Sequence, residues 1–234
     1  MKAFLLAAGL GTRLRPLTAS VPKCLVEVGG RPLLDIWLDG LAAGGVDEVL
    51  VNVHHLHHLV DEHVAHRAGR APFVRVVHEP VLLGSAGTLR ANSYFVADEP
   101  FFLAINADNL TTFDVGRLIE AHLSAPLLAT LAVFRADHPE RCGILTVEDG
   151  LVMAFEEKPA HPVGNLANAG LYAFDPRVVD LLEGAGPLDI GRDLLPRLVG
   201  RSRAVDIGDS YFIDIGTPEA LELARATWPR PARR

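Results

Sequence analysis

The chain has only two cysteines in 234 residues, too few for a disulfide framework. Cys24 and Cys142 stand far apart in sequence, as expected of reduced thiols in a cytoplasmic protein. No apolar run is long enough to span a bilayer, and the N-terminus lacks the small-residue cleavage pattern of a signal peptide, so no membrane partner is expected. Positive charge is also in deficit. The formal net charge of −7 argues against a nucleic acid partner. Arginines do collect in the closing "RATWPRPARR", but two prolines there forbid helix, which predicts a solvated tail. Two familiar phosphate loops are missing as well. No G-x-x-x-x-G-K-[ST] string occurs. The dinucleotide pattern G-x-G-x-x-G is met at Gly9 and Gly11 but has Leu14 where the third glycine belongs.

What is present is apolar and ordered. Residues of hydrophobic type make up 49% of the chain, enough to bury a substantial core without staples. Strand and helix patterns alternate through the first half. "KAFLLAA", "DEVLVNV", "FVRVVHE", "FFLAINAD" and "LLATLAVFRA" read as buried strands. Helices are predicted over "PLLDIWLDGLAAGG", "HLHHLVDEHVAHRAG", "AGTLRANSYF" and "DVGRLIEAHL". That rhythm predicts a parallel sheet wrapped by helices. The second half changes character. "GILTV" and "LVMAFEE" flank "EDG", a hairpin signal. "LANAGLYAF" is a further strand and "VVDLLEG" a short helix, while "IGRDLLPRLVG" is a helix that Pro196 should kink or break. "RAVDI" and "YFIDI" are strands joined by "GDS", and "TPEALELARA" is a last helix with Thr217 as N-cap and Pro218 at its first position. With no linker and no repeat, residues 1–234 are expected to form one domain: a nucleotide-type α/β half with a mixed-sheet insertion closing over it.

The stretch "LLAAGLGTRLRPLT" carries the chemistry. An ordinary strand-to-helix turn accounts for its glycines but not for Arg13, Arg15 and Lys23 following so closely. Glycines let backbone N–H groups approach phosphate oxygens as an anion nest. Arg13 then adds a planar fork, and Lys23 a mobile point charge. A triphosphate needs more than one cation to neutralise it.

The longer string "LAAGLGTRLRPLT…VPKCLVEVGGRPLL" closely resembles the signature of the sugar-1-phosphate nucleotidylyltransferases, the NDP-sugar pyrophosphorylases. The likeness continues at intervals to "DIGTPE" and covers nearly the whole chain. It implies a three-layer, Rossmann-like α/β fold: a mixed, mainly parallel sheet with helices on both faces and a smaller mixed β insertion forming the sugar side of the cleft. It implies a nucleotide-binding set of Leu6, Ala7, Ala8, Gly9, Gly11, Thr12, Arg13 and Lys23, with Gly84, Ser85, Ala86 and Gly87 as the loop receiving the base. Glu79 lies just before that loop. A carboxylate only accepts hydrogen bonds, and the N1–H and N2–H₂ edge of guanine only donates, so Glu79 favours GTP.

Asp108 closes "FFLAINAD" at the end of a buried strand, where a parallel sheet places its ligand crevice. Asp214 interrupts the apolar "YFIDI". By the resemblance both bind one Mg²⁺, a hard cation suited to carboxylates, waters and phosphate oxygens. Taken alone, the charges of "FEEKP" read as a solvated edge. The resemblance assigns Lys158 to the sugar phosphate, Glu157 to sugar hydroxyls, and Asn168, Gly170 and Gly143 to the sugar pocket, Gly170 leaving it room. Cys142 stands where the family often has an aromatic residue. Six histidines between His54 and His66 tempt a metal reading, with His54 and His58 able to share a helix face, but a zinc site usually wants cysteine or acid company with supporting groups and helical spacing scatters these side chains; a polar helix surface is expected.

The implied reaction is NTP plus sugar 1-phosphate giving NDP-sugar and pyrophosphate by in-line attack, with Arg13, Lys23, Asp108, Lys158 and Asp214 as the catalytic set. Mannose- or heptose-type phosphates with GTP are the first expectation. The rivals are a non-catalytic NDP-sugar-binding regulatory homologue and a nucleotide-sugar-dependent glycosyltransferase. The second often carries D-x-D after its fourth strand, which "NADN" lacks. The chain ends soon after the core motifs, so no C-terminal β-helix for acyl transfer is expected, and either a monomer or a homo-oligomer is compatible.

Overall fold

The structure is a computed structural model, and it describes residues 1–229. Residues 230–234 of the expected tail lie outside the described residues. In chain order the regular elements are β1 (Lys2–Leu6), β2 (Glu27–Val28), β3 (Arg31–Pro32), α1 (Leu33–Ala43), β4 (Glu48–Val53), α2 (His57–His66), β5 (Phe73–His78) and α3 (Ser85–Ala91). There follow β6 (Phe102–Asn106), β7 (Asn109–Thr111), α4 (Val115–Leu123), β8 (Ala129–Arg135), β9 (Gly143–Glu148), β10 (Leu151–Glu157), β11 (Leu166–Phe174), β12 (Ser202–Asp206), β13 (Phe212–Asp214) and α5 (Pro218–Thr227).

Nine strands make one sheet in the order β5-β4-β1-β6-β11-β8-β12-β10-β9. The first four run parallel, as their continuous apolar sequences predict. The remainder is mixed: β11 is antiparallel to both β6 and β8, β12 is parallel to β8, and β9–β10 is the expected hairpin over Asp149 and Gly150, both at positive φ. Parallel pairing therefore prevails only in the N-terminal half. The chain leaves β1 for β4 and β5 on one side and returns to β6 on the other. The order reverses between β1 and β6, and the crevice opens at their carboxyl ends.

Alternate residues of each strand feed different faces. Ala3, Leu5, Val49, Val51, Leu103 and Ile105 pack against Leu34, Trp37, Leu38 and Leu41 of α1, Val60 of α2 and Leu118 of α4. Phe4, Leu50, Phe102 and Ala104 face the other way, onto Ala86 and Leu89 of α3 and the Leu188–Leu198 segment. A third cluster joins Leu14, Val26, Val28 and Leu33 to Leu110, Ile215, Leu221 and Ala224. It fastens the opening loop to α5 and to the small β7–β13 ribbon.

The structure sharpens two of these readings and changes one. The "IGRDLLPRLVG" helix is one π turn, Ile190–Leu194, followed by a 3₁₀ turn, Leu195–Leu198, because Pro196 supplies no N–H to continue the ladder. "RAVDI" and "YFIDI" do not pair with each other; β12 enters the main sheet and β13 pairs with β7. His54 precedes α2 and so shares no helix face with His58. Thr217 caps α5 as expected, its Oγ1 accepting from Ala220 N at 3.2 Å. Among the described residues no helix is long and apolar enough to cross a membrane.

Candidate active site

A cleft of about 380 Å³ opens at the β1–β6 reversal, lined by Leu6 to Gly9, Lys23, Asn52, Glu79, Gly84, Ser85, Asp108 and Asp189 among others. The loop leaving β1 is pinned at its start, where Ala7 N donates to Asn52 Oδ1 at 2.8 Å. Gly9 has open space on the side where a Cβ would stand. Gly11 sits at φ +61°, and a Cβ there would press on Thr18 Cγ2 at 3.0 Å. No α-helix follows. Thr12–Leu14 is a single 3₁₀ turn, with Thr12 and Arg13 exposed and Leu14 buried in the third core cluster. That explains the missing third glycine: no helix packs closely on the sheet here, and the position instead needs an apolar anchor.

The acids lie on neighbouring strand ends. Asp214 pairs in register with Asn109, next to Asp108, and Ile215 N donates to Asp108 O at 2.9 Å. Lys23 Nζ meets Asp108 Oδ2 at 2.7 Å. Gly216 brings Arg13 to the same place: the point where its Cβ would stand is 2.8 Å from Arg13 Nη2 and 3.1 Å from Asp214 Oδ1. Asp214 opens to the cleft, yet protein displaces much of the water around it. That burial, with the Asp108 charge beside it, pushes its carboxyl above the usual aspartate range, against the opposing pull of Lys23, Arg13 and Lys158. Arg13 and Lys23 of the opening segment thus converge on the two aspartates.

This donor set fits a hard divalent cation. It offers only carboxylate oxygens, one of whose groups is raised in pKa by burial and then by the other's charge, and among the described residues no group of three His, Cys, Asp or Glu stands together. A cation that keeps its waters and takes phosphate oxygens matches that incompleteness.

Beside α3, Glu79 is buried with both carboxylate oxygens hydrogen-bonded. Oε1 accepts from Asn52 Nδ2 at 2.9 Å and Thr88 Oγ1 at 2.5 Å, and Oε2 accepts from Leu83 N at 3.1 Å. It holds the loop before α3 in place. Gly84, at φ +77°, leaves no room for a Cβ against Leu188 O. Ala86 and Gly87 direct their N–H groups to Leu188 O at 2.9 and 3.1 Å, so the chain itself occupies those donors.

On the opposite wall, Glu157 is half-buried and its carboxyl is pushed up by desolvation, with Lys158 opposing and Asp189 reinforcing the shift. Lys158 is exposed, at φ +50°, its Nζ 3.7 Å from Glu157 Oε1 and its N–H bonded to Cys142 O. Gly143 leaves space for Phe155 Cζ and Glu157 Oε2, which a Cβ would meet at 2.6 and 2.8 Å. Asn168 Nδ2 donates to Tyr172 Oη at 2.6 Å, and its Oδ1 accepts from Gly170 N. The space beside Gly170 holds Asn106 and Asn109, whose Nδ2 atoms a Cβ would meet at 2.5 and 2.6 Å, and its φ of +72° serves the irregularity in the β11–β8 register. A side chain there would collide with protein amides.

The histidines disperse as a polar surface. His63 meets Asp35, His57 stacks on His78, and His54 and His55 bond backbone carbonyls. Both cysteines are free, and burial pushes the Cys24 thiol up to about 12, which makes it inert. Sequence reasoning missed Asn52 and Asp189. Asn52 had a signal, a lone polar residue inside the apolar "DEVLVNV"; Asp189, in a turn of "GPLDIGRD", had none.

A sequence profile of the family described as nucleotidyl transferase matches residues 2–229. The chain belongs to that family. This nucleotidyl transferase is 32% identical over 226 residues to a mannose-1-phosphate guanyltransferase of Yarrowia lipolytica, covering 94% of the chain and 61% of the relative. It is 32% identical over 239 residues to a putative mannose-1-phosphate guanyltransferase of Sulfolobus acidocaldarius, covering 98% and 65%. The chain thus spans less than two thirds of the length of these relatives. Among solved structures, HddC from Yersinia pseudotuberculosis complexed with GMP-PN superposes with a TM-score of 0.80 at 25% identity, over 97% of this chain and 99% of that one. A putative glucose-1-phosphate thymidylyltransferase from Bacillus anthracis shares the fold, with a TM-score of 0.86 at 24% identity, over 100% and 97%.

Proposed function

We propose that this nucleotidyl transferase makes an NDP-sugar and pyrophosphate from an NTP and a sugar 1-phosphate. The single observation that carries the reading is the convergence of Lys23, Arg13, Asp108 and Asp214 on one point at the β1–β6 crevice. GTP is the favoured nucleotide, supported by the guanyltransferase relatives, the GMP-PN complex of the structural neighbour and the acceptor character of Glu79. A mannose- or heptose-type 1-phosphate is the favoured acceptor. The continuous nine-stranded sheet supports treating the chain as one catalytic unit.

Asp108 and Asp214 would hold Mg²⁺, which when bound neutralises phosphate charge. Arg13 stabilises the departing pyrophosphate, and Lys23 turns from Asp108 to the α-phosphate. Lys158 holds the attacking sugar phosphate, so that two anions approach with their charge compensated. The nucleophile is already an anion and needs no general base. Glu157 and Asn168 orient the sugar hydroxyls. The test is a matrix of NTPs against sugar 1-phosphates, read by pyrophosphate release. Release that needs both substrates supports the reading. Release without sugar phosphate, or none from any pair, overturns it in favour of a binding homologue or another transferase.

A further inference from the structure

Asp189 ties together two walls of the cleft. Its Oδ2 accepts from Ser85 Oγ at 2.9 Å, and Ser85 Oγ in turn accepts from Ile190 N at 2.8 Å. On the other side its Oδ1 accepts from Arg192 N at 3.1 Å and faces Glu157 across Gly191. The point where a Gly191 Cβ would stand is 2.6 Å from Glu157 Oε2 and 3.2 Å from Asp189 Oδ1. Two carboxylates therefore meet over a residue without a side chain. Gly191 is not held at positive φ, so backbone conformation alone does not demand glycine there. Asp189 also lines the nucleotide cleft, next to Ser85 and Gly84. Ser85 Oγ donates to Asp189 Oδ2 and Lys158 stands 3.7 Å from Glu157 Oε1, so the two oxygens that face each other over Gly191, Glu157 Oε2 and Asp189 Oδ1, keep acceptor capacity that a ligand bearing hydroxyls satisfies.

We propose that Asp189 is a specificity-determining residue of the sugar side, accepting a sugar hydroxyl beside Glu157 in the corner that Gly191 leaves open. This rests on the reading above, that the cleft takes a sugar 1-phosphate opposite the nucleotide. Asp189→Asn keeps the shape and one acceptor oxygen, which serves either Ser85 or the turn cap at Arg192 N but not both. Gly191→Ala fills the corner, pressing hardest on Glu157 Oε2 and less on Asp189 Oδ1, while both carboxylates stay in place.

The experiment compares wild type, Asp189→Asn and Gly191→Ala with the sugar 1-phosphate that supports turnover and with its monodeoxy analogues. Asp189→Asn is expected to raise the sugar-phosphate KM about five- to tenfold with the NTP KM unchanged. That penalty should vanish for the one analogue lacking the hydroxyl that Asp189 accepts. Gly191→Ala should raise the sugar-phosphate KM as well. A loss equal across all analogues, a change in NTP KM alone, or an unaffected Gly191→Ala would each overturn the assignment and leave Asp189 as an anchor of the base loop. Absence of sugar-dependent turnover in the wild type would instead overturn the underlying reading and this inference with it.

Discussion

Lys23 Nζ lies 2.7 Å from Asp108 Oδ2, although 85 residues separate them in the chain. The lysine is mostly covered and the aspartate partly open to the cleft. A charge pair so placed contributes little to stability, but it stores a cation beside the acid that a phosphate ligand can recruit. Asp108→Asn should therefore unfold within a few degrees of wild type while pyrophosphate release falls about 10²–10³-fold. Thermal unfolding and a pyrophosphate assay, run on the same preparation, check both halves.

Asp214 carries the opposite signature. Burial and Asp108 raise its carboxyl pKa in the folded protein, so between the ordinary aspartate value and the raised one the folded state binds more protons than the unfolded chain. Stability contributed by this group falls as pH rises through that window. Asp214→Asn is expected to match or exceed wild-type thermal stability at pH 7, with the advantage shrinking at acid pH, while turnover is lost. Melting curves from pH 3.5 to 7.5 read the trend. A variant less stable than wild type at neutral pH would show that the acid is structurally satisfied.

Glu79 holds three donors in a buried site. Glu79→Ala would leave Asn52 and Thr88 without that acceptor, at a cost of about 1–3 kcal/mol. Denaturant unfolding measures this. Glu79→Gln, which retains one oxygen acceptor, should lose less stability and narrow the preference for GTP over UTP.

Gly11 combines a left-handed backbone with close contact to Thr18. Gly11→Ala should cost about 1–2 kcal/mol by denaturant titration and raise the NTP KM, because the same turn positions Arg13.

Much of this fold was legible in the sequence. Long apolar strands such as "FFLAINAD" and the capped "TPEALELARA" stood where pattern and turn chemistry placed them. What escaped depended on contacts distant in the chain. The strand Asn109–Thr111 is only three residues long and exists because Phe212–Asp214 pairs with it. The turn after β1 is 3₁₀ because Leu14 is drawn into a cluster with Ile215 and Leu221. Asp108 and Asp214 were found through the family's motifs; their adjacency follows from that ribbon. The need for glycine at position 170 is not legible locally, because the amides that crowd it come from Asn106 and Asn109, far away in the chain. Asp189 sits in an irregular turn with no periodicity to betray it.

The central claim is that both aspartates and the cationic turn serve one metal-bound nucleotide. Calorimetric titration with GTP, with and without Mg²⁺, tests it most directly. Wild type is expected to bind GTP more tightly with the metal, and Asp108→Asn and Asp214→Asn are each expected to abolish that difference. Metal dependence that survives in both variants would place the cation elsewhere and contradict the account.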